Sequence, residues 1–257
     1  MSAQDDPAAA SRLSLIALED ADQVSEQVAA RLLSERRFRP DRPLGLATGR
    51  TMEPVYGALV RQLGQLPAGE RDRLRERWLS FNLDEYVGLA GGDGRSFRAV
   101  MEVLLVRPLG LDPERVRLPL GDAPDPAAEA QRYGAELARA GGIGLQVLGL
   151  GLNGHVGFNE PPCGADAGCR CVRLSDSTRR ANGPAFGGDA AQVPAQAITL
   201  GLREILAARS ILLVVTGASK AAVLRRLLEE PAGAELPASW LRLHHDVTLL
   251  ADRAALG

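Results

Sequence analysis

Lysine is almost missing from this chain. Of 30 basic residues only Lys220 is a lysine, so one compact ammonium stands against a background of planar guanidinium groups. Chance survival within an arginine-rich codon bias is the plain account of it; a site that needs a point charge is the other. Cysteine is scarce too, and the 3 thiols, Cys163, Cys169 and Cys171, cannot all pair within the chain. That odd count suits a reducing compartment, and C-x5-C-x-C with His244 and His245 far away matches no standard zinc spacing, so no metal is expected. No apolar run approaches the roughly 20 residues that cross a bilayer. The opening MSAQDDPAAASR carries acids and no hydrophobic stretch, so no secretory signal is expected and residues 1–12 read as a disordered tail of a cytoplasmic protein. Charge of either sign is not in excess: a net −2 and a pI near 6.0 supply no positive field for nucleic acid or for an anionic membrane surface. The expected partner is a small molecule.

What is present is a globular composition. A hydrophobic fraction of 46% over 257 residues supports a sizeable core, expected as one domain over 13–257. Short apolar runs recur at LSLIAL (Leu13), PLGLA (Pro43), WLSFNL (Trp78), IGLQVLGL (Ile143), SILLVVT (Ser210) and VTLLAD (Val247). Between them lie segments with apolar residues at three-to-four spacing, among them DADQVSEQVAARLLSERRF, MEPVYGALVRQL, SFRAVMEVLLVRPLG, DPAAEAQRYGAELARA and GASKAAVLRRLLEE. Helix starts are visible at Asp20 or Asp22, at Ser96, and at Asp125 with Pro126. This alternation predicts an α/β fold, a mostly parallel open sheet with helices on both faces. The stretch 151–194 breaks the rhythm: it is rich in Gly, Pro, Asp and Arg, and only CVRL offers a strand. Irregular segments of that length in compact domains tend to be functional, so an active-site loop followed by a lid at about 161–194 is expected.

In open parallel sheets ligands sit beyond the carboxyl ends of the strands, which directs attention to four loops. After PLGLA comes Thr48, Gly49, Arg50 and Thr51 before a helix, a turn whose free N–H groups suit an anion but which lacks the spacing and lysine of a Walker loop. After WLSFNL come Asp84 and Glu85, readable as a base with its companion or as solvated acids. After IGLQVLGL comes GLNGHVGFNEPP, with Asn153, Gly154, His155, Asn159 and Glu160; its chance G-x-G-x-x-G is rejected as nucleotide binding because HVGFNEPP cannot continue as a helix. A glycine-framed histidine there is either a proton carrier beside Glu160 or a ring bonded to loop backbone. After SILLVVT comes the lone Lys220. His244 and His245 are expected at a surface turn before the last strand.

The segments LGLATGRT, FNLDEYVGL with SFRAVM after it, GLGLNGHVGFNEP, QVPAQAITLGL, VTGASKA and LHHDVTLLAD stand in the order seen in glucosamine-6-phosphate deaminases, and the chain resembles that family over nearly its whole length. The resemblance implies a Rossmann-like fold of the deaminase type and conversion of glucosamine 6-phosphate, or a close relative, to fructose 6-phosphate and ammonia. It implies that Asp84 takes the C2 proton, that His155 with Glu160 and Asn153 assists ring opening, and that Thr48, Gly49, Arg50, Thr51, Glu85, Gly154 and Lys220 contact a sugar phosphate, with no cofactor required. The TG loop and VTGASKA look similar in 6-phosphogluconolactonases, which makes a lactonase the alternative, although LDEY stands where that family shows a GDER-like motif. An isomerase for a different or unphosphorylated sugar, and a non-catalytic sugar-phosphate sensor, are further alternatives; no added helix-turn-helix segment favours the sensor. Several positions depart from the family pattern. Asn153 stands where Asp is frequent, Arg50 where a small residue is usual, Met52 where proline is usual, and Pro184 where the lid motif TRxxNxRF supplies a phosphate-binding arginine. Arg50 either replaces that cation or fills the phosphate pocket. In allosteric relatives a Ser, an Arg and a Lys act around the segment here reading CGADAGCRCV; Arg170 is kept but Val172 replaces the lysine, so activation by an amino sugar is not expected. Homo-oligomerisation is left open.

Overall fold

A computed structural model describes residues 13–257; the tail expected at residues 1–12 lies outside the described residues. Among the described residues ten strands are formed: β1 (Leu13–Leu18), β2 (Leu44–Leu46), β3 (Ser80–Asn82), β4 (Asp84–Tyr86), β5 (Val116–Arg117), β6 (Leu145–Gly149), β7 (Arg170–Arg173), β8 (Gln196–Thr199), β9 (Ser210–Val215) and β10 (Val247–Asp252). The helices are α1 (Ala21–Phe38), α2 (Glu53–Gly64), α3 (Ala68–Glu76), α4 (Phe97–Met101), α5 (Arg107–Leu109), α6 (Pro126–Arg139), α7 (Asp176–Asn182), α8 (Leu202–Leu206), α9 (Ala221–Glu229) and α10 (Arg253–Leu256).

Seven strands pair in the order β1-β10-β9-β6-β2-β3-β5, every pair parallel. Consecutive side chains of β6 and β9 are buried, because helices cover both faces of a parallel sheet. The helices begin where their caps dictate. Asp20 accepts the Gln23 N–H at 2.8 Å and caps α1, leaving Asp22 in the first turn; Ser96 caps α4 and Asp125 caps α6 with Pro126 behind it. Each such cap contributes about 0.5–2 kcal/mol. The helical run after Ser96 is not continuous α-helix. A π turn at Glu102–Val106 precedes Pro108, whose ring has no N–H and would collide with a regular i−4 carbonyl.

A second, three-stranded sheet in the order β4-β8-β7 is antiparallel and was not foreseen as a sheet. WLSFNL was expected to run as one strand to a loop carrying Asp84. Instead β3 stops at Asn82, and Leu83 passes the chain between sheets: its N–H donates to Leu46 at 2.9 Å while its carbonyl accepts from Leu200 at 2.7 Å. Asp84 is thereby the first residue of β4. The segment 161–194 holds β7, α7 and two short 3₁₀ turns. A separate apolar cluster of Leu174, Phe186 and Val193 with Tyr86, Leu89, Phe158 and Ala197 packs it down. His244 corrects the expectation of a surface turn. It is buried, its ring facing the Ala208 carbonyl at 2.9 Å and Asp246 backbone atoms at 3.0–3.1 Å, because the chain before β10 folds against α8.

Candidate active site

The order of the sheet decides where the chemistry gathers. From β2 the chain moves to β3 and β5 on one side, then returns to the other side of β2 as β6 and continues to β9 and β10. The crevice between the carboxyl ends of β2 and β6 is therefore a topological switch point, the usual ligand position in open α/β sheets. The four loops singled out in the sequence follow β9, β6, β2 and β3, which are consecutive neighbours in the sheet.

After β2 the chain turns at residues 48–51. Gly49 takes φ +104, which an L side chain resists, and its carbonyl receives the Met52 N–H at 2.8 Å as α2 begins. Thr48 and Thr51 are half-buried and Arg50 is exposed. After β9, Lys220 is half-buried and its Nζ donates to the Leu150 carbonyl at 2.6 Å, at the end of β6. Burial, and then the nearby Arg50 guanidinium, hold the Lys220 ammonium below its ordinary pKa. Two cations thus stand at the mouth of the crevice, and among the described residues neither forms an ion pair with a carboxylate.

Asp84 is 6% exposed. Burial first, and then the charge of Glu85, push its carboxyl up to about 8, far above an ordinary aspartate. The glycine-rich loop after β6 comes down upon it: a Cβ added to Gly157, at φ +57, would lie 3.5 Å from Asp84 Oδ2 and 3.1 Å from Thr199 Oγ1. The positive φ favours glycine here, and a side chain would also crowd Thr199. In the same loop the His155 ring lies over Gly151, where an added Cβ would fall 2.2–2.3 Å from the imidazole. His155 Nδ1 is 2.6 Å from Asn153 Oδ1, and Asn153 Nδ2 is 3.4 Å from Glu160 Oε1. Burial lowers the His155 pKa to about 4, against the pull of Glu160 and with the help of Lys220. The ring is neutral at ordinary pH. Burial works against the Glu160 charge, but hydrogen bonds from Ser175 and Thr178 and the charge of His155 outweigh it and hold this carboxyl below its usual range.

Asp84, Asn153, His155, Glu160, Thr48–Thr51 and Lys220 therefore lie just beyond the carboxyl ends of neighbouring strands. Two of the expected contact residues are engaged within the protein. Glu85 Oε1 accepts the N–H groups of Tyr86 and Phe97 at 2.9 Å and its Oε2 that of Arg98 at 2.8 Å, so it satisfies the open N-terminus of α4. Gly154 is buried beside Leu236, its carbonyl accepts the Ala238 N–H at 2.8 Å and its N–H donates to the Gly151 carbonyl at 3.0 Å.

Sequence reasoning missed Ser175, Thr178 and Thr199, and named Asn159 in the loop without a role. Ser175 was legible as the residue capping α7; the other two are placed only by tertiary contacts. Asn159, fully buried, ties the loop together by donating to Val156 and Leu200 carbonyls and accepting from Arg170 Nη1 at 2.8 Å. Arg170 is thus turned inward, onto Asn159 and Cys163 Sγ. Pro184 lies exposed in the 3₁₀ turn Gly183–Phe186, and Arg179 is tied to the carbonyls of Val193 and Ala191. Among the described residues no group of His, Cys, Asp and Glu is arranged to hold a metal ion, and no helix is long and apolar enough to cross a membrane.

A parallel α/β sheet with a buried carboxyl, a glycine-framed histidine and two cations near its switch point is an arrangement suited to acid–base chemistry. Comparison with known proteins makes the class specific. The family model described as glucosamine-6-phosphate isomerases/6-phosphogluconolactonase matches residues 17–250, and the chain belongs to that family. The glucosamine-6-phosphate deaminase of Rhodopirellula baltica is 40% identical over 238 residues, 92% of each chain. A solved structure described as a monomeric glucosamine-6-phosphate deaminase superposes with a TM-score of 0.89 at 35% identity, covering 95% of this chain and 100% of that one. The 6-phosphogluconolactonase of Thermotoga maritima, at TM-score 0.72 and 21% identity over 94% of this chain and 100% of its own, shares the fold.

Proposed function

We propose that this chain is a glucosamine-6-phosphate deaminase, converting glucosamine 6-phosphate and water to fructose 6-phosphate and ammonia. What supports the reading is a buried Asp84 with a raised pKa and a neutral His155 on the loops beyond adjoining strands, with Lys220 and Arg50 close by and, among the described residues, without a carboxylate partner. The cations hold the phosphate, which leaves the sugar ring to reach down between the loops after β2 and β6. His155 takes the proton of the O1 hydroxyl and returns one to the ring oxygen, so the pyranose opens to the aldehyde. Asp84, which must first lose its own proton, takes the proton of C2 while the aldehyde oxygen gains one from solvent, and then delivers its proton to C1. The enolamine formed between these steps becomes a ketiminium, water adds at C2, and the nitrogen leaves as ammonium to give the ketose. Buried surroundings make Asp84 a stronger base than an exposed carboxylate, and general acid/base assistance of this kind supplies about 10²–10⁴ in rate. Glu160 and Asn153 act through His155 and are positioning residues.

The test is direct. Purified protein is incubated separately with glucosamine 6-phosphate, glucosamine and 6-phosphogluconolactone, and ammonia, ketose and acid are measured. Ammonia with ketose from the first substrate alone is expected. Acid release from the lactone without ammonia from the amino sugar would overturn the assignment.

A further inference from the structure

The short hydrogen bonds of the Glu160 carboxylate come from outside the loop that carries it. Oε2 accepts the Ser175 N–H at 2.8 Å, and Oε1 accepts the Ser175 hydroxyl at 2.6 Å and the Thr178 hydroxyl. Ser175 is the cap of α7 and Thr178 lies in its first turn, so every one of these donors belongs to the segment 161–194. That segment is packed by its own apolar cluster around Phe186, Leu174 and Val193.

The contacts on the other side of Glu160 orient an amide. Asn153 Oδ1 lies 3.2 Å from the His155 backbone N–H, and the opposite amide atom faces a Glu160 oxygen at 3.4 Å. Reversing the amide would set its NH₂ against an N–H and its oxygen against a carboxylate, two repulsions in place of two attractions. The atom 2.6 Å from His155 Nδ1 is therefore an acceptor, and Nδ1 carries the hydrogen. Nε2 is left with its lone pair free to receive a proton. Because an asparagine, unlike an aspartate, cannot itself take up the Nδ1 proton, the orientation of this amide decides the tautomer. That orientation depends on an ionised Glu160 standing where Ser175 and Thr178 place it.

We propose that Ser175 and Thr178 are positioning residues that fix the tautomer of His155 through Glu160 and Asn153. This rests on the ring-opening role given to His155 above. The segment carrying α7 then controls a proton-transfer group that it does not touch: when α7 is seated, the histidine offers Nε2 as a base, and when it is withdrawn the amide is free to turn.

The test uses the intact chain and nitrogen chemical shifts of its imidazoles, with only three histidines to assign. In the unmodified, ligand-free protein near neutral pH, His155 is expected as the single Nδ1–H tautomer. Thr178→Val keeps the shape and the α7 cap but removes a donor to Glu160; it should give a mixture of tautomers. Thr178→Ser should restore the single form, and Ser175→Ala should act like the valine variant if Thr178→Val fails to fold. The same variants should lose about tenfold in kcat/KM on the closed-ring substrate, part of the 10²–10⁴ available to a general base, with little loss on an open-chain analogue. A single Nε2–H tautomer in the unmodified protein, an unchanged Nδ1–H form in both donor-deleting variants, or equal loss on both substrates would overturn the proposal. The tautomer is read without substrate. A tautomer lock in a protein that releases no ammonia from glucosamine 6-phosphate would refute the functional reading and leave the positioning roles standing.

Discussion

Replacing Arg50 by serine tests whether the unusual residue of the first loop grips the phosphate or obstructs it. Arg50 is exposed on a turn held by the positive φ of Gly49, so the substitution leaves the backbone and the core unchanged. Its charge reaches Lys220, the partner of the Leu150 carbonyl, and neither cation has a carboxylate partner among the described residues. A hydrogen bond to a charged group contributes about 1.5–3 kcal/mol, and at about 1.4 kcal/mol per decade that is roughly 10- to 150-fold. One relief works against the loss: without Arg50 the Lys220 ammonium is repelled less, keeps its proton more firmly and holds the phosphate better. The expected rise in KM for glucosamine 6-phosphate therefore falls toward the lower end, about tenfold, with kcat little changed. Any turnover of unphosphorylated glucosamine should keep its KM. Initial rates of ammonia release over a substrate series measure all of this, and adding Pro184→Arg, at an exposed turn position, should recover part of the loss. An unchanged KM, or better activity on glucosamine 6-phosphate, would show that the arginine fills the pocket and that the natural substrate is not a simple 6-phosphosugar.

Asp84→Asn is expected to lower turnover by at least about a hundredfold and to abolish exchange of the C2 hydrogen with deuterated solvent; persistent exchange would place the base elsewhere. The same variant has a stability signature. Since the folded-state pKa of Asp84 is raised to about 8 from 3.8, the folded protein holds a proton that the unfolded chain loses, and its stability falls as pH rises through that window. The Tm of Asp84→Asn should therefore gain on the unmodified protein between pH 5 and pH 8, roughly the interval between those two values, and a constant difference would refute the shift. For kcat/KM an ascending limb near pH about 8 is expected from the same group, and Glu85→Gln, by removing the neighbouring charge, should move that limb to lower pH. His155→Gln should slow the closed-ring substrate far more than an open-chain analogue, and equal slowing would remove its ring-opening role.

Glu85 and Asp84 show best how far local pattern reaches. Their arrival at the carboxyl end of a sheet strand was legible, because WLSFNL is an apolar run followed by acids. Which of the two faces the crevice was not legible. Neighbouring residues of a strand point to opposite faces, so one carboxylate must turn away, and the amides that claim Glu85 come from Phe97 and Arg98, 12 and 13 residues on. The strands β4 and β8 escaped notice for a related reason: with 3 and 4 residues they are too short to show a period, and they exist through pairing with each other and with β7. His244 looked like half of a polar surface pair until the distant Ala208 carbonyl was found beside it. By itself the sequence determined the alternation of strands and covering helices, their caps, the glycine-framed loop of His155 and the isolated Lys220, since these depend on neighbours within one or two turns of chain. Only the tertiary structure decided the strand order that sets β2 beside β6, the burial that makes Asp84 basic, and the tie from Ser175 and Thr178 to Glu160. Those properties arise from dielectric surroundings and from hydrogen-bond donors that the chain brings together after folding.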